Sequence, residues 1–550
     1  MSDLNHECGI AAVYFLPTPA KATPTSASPE HSIAGRPNLI PSAPEETSRL
    51  IPRMLQDIQN RGQLSAGISS FQAGREQLIH THREIGVVAE VFRLSHPGKH
   101  ESLMRQLAGS AAIGHVRYAT CGRDDQNYAQ PFERSHLQKH KWFSFGFNGQ
   151  LANYPQLKGE ILADDQFHLT RDCDTEIVMH LMSRHLAATS PRDLLEMWRR
   201  TSAQLDGSYC LAYLDANGDM LIARDPLGIR PLCYAVRDSL FAAASESVAL
   251  LNLGFDRDEI KSLEPGFAIT IIDGQLRIEA FVDRCGRAHC FFEWVYFANV
   301  ASTLDDISVY QARTRLGTEL ARLEVAEGLI DVHDGRTIVV PVPDTSKAAA
   351  DAMAYELGIP SREGLIRNRY SGRTFIEQNA EQRRQRALSK YTPLREVLAG
   401  KRVLLVEDSI VRSTTMKTLL NRIYREGHAA EVHVRVACPP IVAPCFYGID
   451  MSTVDELFAP RYLGVHDTLT LEIQQQMARD LGCDSLRYLP VASVAKAIGL
   501  PADQLCQACI TGRYPTTTGQ QLYQLAQHAA GSTGRAATGR TFEHVPLGKE

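Results

Sequence analysis

Short apolar runs broken by turn residues dominate the first half of the chain. Ile10-Ala11-Ala12-Val13-Tyr14-Phe15, within residues 8–16, has no polar alternation and reads as a strand buried on both faces. Cys210-Leu211-Ala212-Tyr213-Leu214 and Ala268-Ile269-Thr270-Ile271-Ile272 have the same character. Between about 50 and 280 such runs, separated by Gly and Asn turns, predict β-rich layers with a few covering helices. From about 290 to 515 the rhythm becomes strand, loop, helix. An apolar 337–342 precedes a helical 348–357 that stops at Gly358. An apolar 402–406 precedes a helical 416–425 that stops at Gly427, and a strand follows at 432–436. That alternation predicts a parallel α/β sheet. Residues 17–48, rich in Pro, Ser, Ala and Thr, cannot bury enough apolar surface to order themselves and are expected to form a flexible surface insertion. The tail, 516–550, is expected to be frayed or disordered.

Composition narrows the function classes. The chain has 550 residues, 44% hydrophobic and 22% charged, with a formal net charge of −5. Two to four domains are expected, at ~150 residues each. The charge gives no electrostatic reason to expect nucleic acid or an anionic membrane as partner. No apolar run approaches the ~18 residues that span a bilayer. Met1-Ser2-Asp3-Leu4-Asn5-His6-Glu7 lacks the basic and apolar regions of a secretory signal. Twelve cysteines in such a chain point to a reducing, cytoplasmic setting, where thiols serve catalysis or metal binding.

Three patterns carry chemistry. Cys8 opens the first strand, in His6-Glu7-Cys8-Gly9-Ile10. With residues 1–7 removed, its α-amine, of ordinary pKa near ~8, lies beside its own thiol and can serve as the activating base. A buried structural cysteine is the plain alternative. The second pattern is Val403-Leu404-Leu405-Val406-Glu407-Asp408-Ser409-Ile410-Val411-Arg412-Ser413-Thr414-Thr415. A buried strand ends in two acids, and a hydroxyl-rich loop then opens a helix. The loop N–H groups and the helix N-terminus suit a phosphate. The acids suit ribose hydroxyls, or a Mg²⁺ shared with a pyrophosphate. The loop has no glycine and so matches neither Rossmann nor Walker loops; an ordinary turn with an acidic N-cap is the alternative. The third pattern, Cys506-Gln507-Ala508-Cys509, has a metal-type spacing.

The 403–415 string resembles the phosphoribosyl pyrophosphate (PRPP) signature of type I phosphoribosyltransferases. From Cys8 to about Pro515, apart from 17–48, the chain resembles the amidophosphoribosyltransferase family. Further matching strings are Gly114-His115-Val116-Arg117-Tyr118-Ala119-Thr120, Phe147-Asn148-Gly149, Asp174-Thr175-Glu176, 223–232, Ala244-Ser245-Glu246-Ser247, Pro341-Val342-Pro343-Asp344 and 367–376. The resemblance implies a mixed chain, α/β with α+β. After a propeptide, 1–7, comes an N-terminal-nucleophile αββα glutaminase, 8–280, then a type I phosphoribosyltransferase α/β domain, 290–515. It implies an enzyme that makes 5-phosphoribosylamine, glutamate and pyrophosphate from PRPP, glutamine and water, the first committed step of purine synthesis.

In that resemblance Cys8 is the nucleophile, and Asn148 with the Gly149 N–H forms the oxyanion hole. Arg117 clamps the glutamine carboxylate and Asp174 holds its ammonium. Asp344, Thr345, Ser346 and Lys347 match the loop that meets pyrophosphate. Glu407 and Asp408 match the acids over the ribose hydroxyls and Mg²⁺. Ser409, Arg412, Ser413, Thr414 and Thr415 fall in the 5′-phosphate cradle. Residues 370–390, with Tyr370, Gly372, Arg373 and Lys390, match a flexible loop that orders over PRPP. Cys290, Cys445, Cys506 and Cys509 fall where one branch, which also has a propeptide, carries the ligands of a [4Fe–4S] cluster. Spacing alone also permits Cys₄ zinc or reduced thiols, and Cys285 and Cys438 lie nearby. Purine nucleotides as feedback effectors and a homodimer or homotetramer are likewise implied.

Four positions depart from the family pattern: Leu64, the string Asn299-Val300-Ala301, Leu388 and Ser413. Single residues keep plainer readings. Asn148-Gly149 also suits a hairpin turn, Arg117 a surface ion pair, Asp174 a helix N-cap ahead of 177–182, and the basic 370–390 stretch a solvated charge run. Two other functions stand beside the first. A different glutamine amidotransferase has no use for the 403–415 loop. A non-catalytic PRPP sensor has no use for an intact Cys8, Arg117, Asn148 and Asp174.

Overall fold

The computed structural model describes residues 8–17, 41–118, 125–164, 166–283, 286–328, 330–368, 390–449, 451, 453–464 and 467–531. In the first half two antiparallel sheets face each other. The seven-stranded sheet runs in the order Lys261–Ser262, Cys233–Arg237, Leu240–Ala244, Gly9–Phe15, Ala111–Arg117, Ser65–Phe71, Ile79–Ile85. The six-stranded sheet runs Gln275–Ala280, Phe267–Ile272, Met220–Arg224, Gly207–Asp215, Phe143–Leu151, Phe132–Arg134.

The strand Gly9–Phe15 lies at the centre of the first sheet. Ile10 and Ala12 join the apolar layer between the sheets. Ala11 and Val13 join a second layer, under the helices Ile51–Asp57 and Ser247–Leu253. Both faces are therefore apolar, which accounts for a run without alternation. A third apolar layer separates the second sheet from the helices Asp174–Ala188 and Leu194–Ser202. The result is the expected αββα stack.

The second half is built on a parallel sheet in the order Thr337–Pro341, Arg402–Glu407, Glu431–Val436, Ser485–Tyr488. Helices Val309–Glu327, Lys347–Leu357 and Ser413–Arg425 cover it. The first two approach so closely that a Cβ on Gly317 would lie 2.0 Å from the Ala349 carbonyl oxygen. Lys347–Leu357 stops where expected, with Gly358 left-handed at φ 65°.

Two expectations are corrected. The insertion expected over 17–48 ends earlier: Pro44–Leu50 forms a helical turn with Thr47 and Ser48 buried. The Gly109 N–H donates to Glu45 O, and the Ser48 N–H to Gly109 O, which docks the turn on the sheet. Residues 18–40 lie outside the described part. The tail does not fray from 516, because Thr517–Gly531 is a helix. It buries Leu522, Tyr523 and Ala526, and its first turn is held by Thr518 N–H to Asp206 Oδ2 and Tyr447 Oη to Thr516 Oγ1. No helix among the described residues is long and apolar enough to cross a membrane.

The halves are joined by buried charge. Arg61 donates to Glu246 and to Glu293, each at 2.6 Å, and all three side chains are at most 2% exposed. Glu246 also accepts from Asn60 Nδ2, the Asn299 backbone N–H and the Ser302 hydroxyl. A second tie pairs buried Arg224 with Asp305. A third sends Arg230 Nη2 and Ser208 Oγ to the Tyr447 carbonyl oxygen. Removing one partner of such a pair strands the other charge away from water. Glu246→Ala is therefore expected to lower the unfolding free energy by about 3–5 kcal/mol, read from urea midpoints; a loss below 1 kcal/mol contradicts this.

Candidate functional site

Cys8 leads directly into the central strand. Gly9 pairs with Val116, so the register brings Cys8 beside Arg117, and Cys8 Sγ lies 3.4 Å from the Tyr118 carbonyl oxygen. Arg117 ends its strand almost fully buried, with its guanidinium 5.4 Å from the Tyr128 ring centroid. It is not a surface ion pair. Gly62 packs on its backbone: a Cβ there would meet Arg117 backbone atoms at 2.5 and 2.7 Å.

Asn148 and Gly149 do not form a hairpin turn. They lie inside the strand Phe143–Leu151, opposite Cys210 and Tyr209. A Cβ on Gly149 would lie 2.2 Å from the Ser208 carbonyl oxygen, so only glycine fits. Three buried side chains fix this stretch, His115 and Ser245 from the facing sheet and Gln130 from beside the same one. His115 Nε2–H donates to Phe147 O at 3.2 Å; burial pushes that imidazole down to about 3, so it is a neutral donor. Gln130 Oε1 accepts the Phe147 N–H at 2.7 Å. Ser245 Oγ stands 3.3 Å from Asn148 Nδ2 and accepts the Ile10 N–H at 3.0 Å. Asp174 lies in the first turn of its helix, behind the N-cap Cys173, and its Oδ2 accepts the Leu151 N–H at 3.2 Å. It is thereby joined to the strand that carries Asn148. Cys8, Arg117, Asn148, Gly149 and Asp174 thus share one end of the sandwich.

A second cluster lies at the carboxyl edge of the parallel sheet, where α/β folds take ligands. Glu407 ends the central strand and Asp408 follows, both buried. Glu407 Oε1 accepts the Asp408 N–H, and the Ser409 hydroxyl donates to Asp408 Oδ1 at 2.7 Å. Burial, with the Glu407 carboxylate next, pushes the Asp408 carboxyl up to about 8. Arg412 precedes the helix Ser413–Arg425 and pairs with Glu456; Thr414 and Thr415 lie in that helix's first turn. The Val342 N–H donates to Val406 O, which sets the loop 343–347 beside the loop 408–412. In it Asp344 receives Arg367 at 2.6 Å, buried Ser346 has no partner for its Oγ among the described residues, and Thr345 stands between them. Lys347, expected as a cation for pyrophosphate, is exposed and paired with Glu363. Tyr370, Gly372 and Arg373 lie outside the described residues. Lys390 is described, with its ammonium 5.5 Å from the Tyr391 ring centroid.

Arg313 was not singled out by any motif. Its guanidinium is buried, donates to the carbonyls of Trp294, Tyr296 and Ala298, and is pulled down to about 10 by burial, with Asp408 opposing. Ser245, Gln130 and His115 also act here, although only the strings around Ser245 and His115 pointed to them.

The four singled-out thiols are gathered in one buried region. Cys290 stands opposite Cys506 in a parallel pairing, and the N–H groups of Val442 and Ala443 donate to Cys509 O, which draws the Cys445 segment in. Burial raises the Cys290 and Cys509 thiols, and the other members of the set raise them further. Cys438 lies between this set and Asp408, acting on Cys509 and acted on by Asp408, and Cys285 is outside the described residues. Among the described residues no three His, Cys, Asp or Glu side chains converge as one metal ion requires.

The Asp408 proton has a measurable consequence. Unfolded, this carboxyl titrates near ~4; folded, it holds its proton to about 8. The folded state then binds the extra proton between these values, so stability falls as pH rises through the window. Without ligand or divalent cation, Asp408→Asn is expected to match the parent near pH 4 and to exceed its stability increasingly toward pH 8. A difference that does not change with pH contradicts the assignment.

Known proteins share this layout. A family profile described as a glutamine amidotransferase domain matches residues 115–252. The amidophosphoribosyltransferase of Methanothermobacter thermautotrophicus is 39% identical over 84% of this chain and 90% of its own length. That of Bacillus subtilis is 34% identical over 87% of this chain and 93% of its own. The solved B. subtilis glutamine PRPP amidotransferase, complexed with ADP and GMP, superposes with a TM-score of 0.74 at 31% identity, covering 93% of this chain and 98% of that one. A structure titled as the allosteric regulatory enzyme of purine biosynthesis gives 0.75 at 32%, covering 93% and 97%. With both clusters in place and relatives this similar along almost the whole chain, the protein belongs to the amidophosphoribosyltransferase family.

Proposed function

We propose that Cys8, freed as the N-terminal residue, hydrolyses glutamine at the first cluster, and that the ammonia displaces pyrophosphate from PRPP at the second. The observation that carries this is the junction at the central strand: Cys8 lies beside Arg117 in register, and one serine hydroxyl ties the same strand to Asn148. The thiol attacks the side-chain amide carbon. The α-amine takes the thiol proton and passes it to the departing ammonia. The Gly149 N–H and the Asn148 amide receive the negative charge on the former carbonyl oxygen, and such donors are commonly worth about 3 kcal/mol each. Arg117 holds the substrate carboxylate as a bidentate donor, and Asp174 its ammonium. Water then releases glutamate from the thioester.

At the second site, departure of pyrophosphate leaves positive character on the ribose, as in glycoside chemistry. Glu407 and Asp408 would hold the ribose hydroxyls and a Mg²⁺, a hard cation suited to carboxylates and phosphate oxygens. The N–H groups at the start of Ser413–Arg425 receive the 5′-phosphate. The unpartnered Ser346 hydroxyl and the loop 344–347 meet the pyrophosphate. The solved relative with ADP and GMP supports purine nucleotides as effectors, and a homodimer or homotetramer in the cytoplasm completes the reading.

The family resemblance favours a [4Fe–4S] cluster over zinc at Cys290, Cys445, Cys506 and Cys509, and their gathering in one buried region supports it. A four-iron cube accepts four buried thiolates spread around its corners. Bound there, it would supply a structural core that joins the segments at 290, 445 and 506–509.

Two measurements test the proposal. Cys8→Ala is expected to reduce glutamine-dependent phosphoribosylamine formation more than about 1000-fold and to leave ammonia-dependent formation intact; glutamine-dependent activity above a tenth of the parent overturns it. Protein purified without oxygen is expected to lack residues 1–7 and to carry about four iron and four sulfide per chain. Zinc, or a metal-free active enzyme, excludes the cluster.

A further inference from the structure

Asn148 is completely buried, and its carboxamide meets Ser245 across the gap between the two sheets. As oriented in the structure, Nδ2 lies 3.3 Å from Ser245 Oγ, while Oδ1 is buried with no partner among the described residues. Ser245 Oγ already accepts the Ile10 N–H. A second N–H directed at it fills its acceptor capacity, and among the described residues its own hydroxyl proton then has no acceptor. Two groups are therefore unsatisfied side by side: an amide oxygen and a hydroxyl proton. Turning the amide about its last bond pairs the amide oxygen with the hydroxyl proton without moving any other atom, because the two senses have nearly the same shape, and leaves the Nδ2 N–H groups to an incoming oxygen.

We propose that Ser245 is the positioning residue for the Asn148 amide, its hydroxyl donating to Oδ1 so that both Nδ2 N–H groups are released toward the Cys8 thiol. The inference rests on reading Asn148 as the oxyanion donor and says what sets its sense. With the sense reversed, a carbonyl oxygen would confront the oxyanion and repel it. The same hydroxyl receives the Ile10 N–H, two residues beyond the nucleophile, so one atom registers the nucleophile's strand against the donor's strand. The next residue, Glu246, is held by Asn60, Arg61, the Asn299 N–H and Ser302, which leaves Ser245 little freedom to move.

The test uses the full-length enzyme. Ser245→Ala keeps the volume nearly unchanged and removes only the selecting hydroxyl. Loss of an oxyanion donor costs about 10²–10³ in kcat. Ser245→Ala is expected to lower kcat for glutamine hydrolysis about 10- to 100-fold with the glutamine KM changed less than about threefold. Ammonia-dependent activity should stay at the parent level, which also establishes that the variant folds. In an Asn148→Ala background the serine substitution should add nothing. A glutamine kcat within threefold of the parent overturns the proposal. So does an equal fall in both activities, or a full additive loss on top of Asn148→Ala. If Asn148→Ala itself keeps its glutaminase activity, the oxyanion reading fails, and that failure is visible apart from the serine's.

Discussion

One arginine that water cannot reach holds the two halves of this molecule in a fixed relation. Arg61 comes from the glutaminase half, and its two carboxylate partners stand on either side of the junction, Glu246 before it and Glu293 after it. Moving such ions out of water costs several kcal/mol each unless every polar atom is re-paired. Here the re-pairing is dense, because Asn60, the Asn299 N–H and Ser302 all converge on Glu246. The two carboxylates also support Arg313, whose donors are spent on three backbone carbonyls and whose charge faces Asp408. Asp408, buried beside the Glu407 carboxylate, is pushed toward its protonated form even with Arg313 opposing.

Physical pattern explains which parts were legible in sequence. Strands buried on both faces show as unbroken apolar runs, and parallel strands with covering helices show as alternation, so the layer order was readable from Ile10–Phe15 and from 337–436. The 403–415 loop was readable because strand, acids and hydroxyls follow one another in the chain. Contacts made across the sandwich were not. Ser245 and His115 fall in matching strings, yet nothing local names Asn148 and Phe147 as their partners, and Gln130, reaching Phe147 from beside the same sheet, falls in none. Asn148-Gly149 has turn composition, yet the partner strand Gly207–Asp215 keeps it extended, and glycine is needed there for close backbone approach.

The errors have the same origin. The polar tail looked too weak to order, but its helix needs only a few apolar anchors once Asp206 and Tyr447 cap its start. The four cysteines, in contrast, were assigned by resemblance, and pairing of Cys290 with Cys506 shows how strand register brings distant thiols together.

The position of Gly9–Phe15 in the middle of its sheet has a consequence for biosynthesis. Cys8 is synthesised before Leu240–Ala244, which flanks its strand on one side, and before Ser245, which follows Ile10 by 235 residues. Until that stretch has been made the thiol has no finished surroundings in which to be reactive. Its pairing is long-range, so topology keeps a nascent chain from premature chemistry.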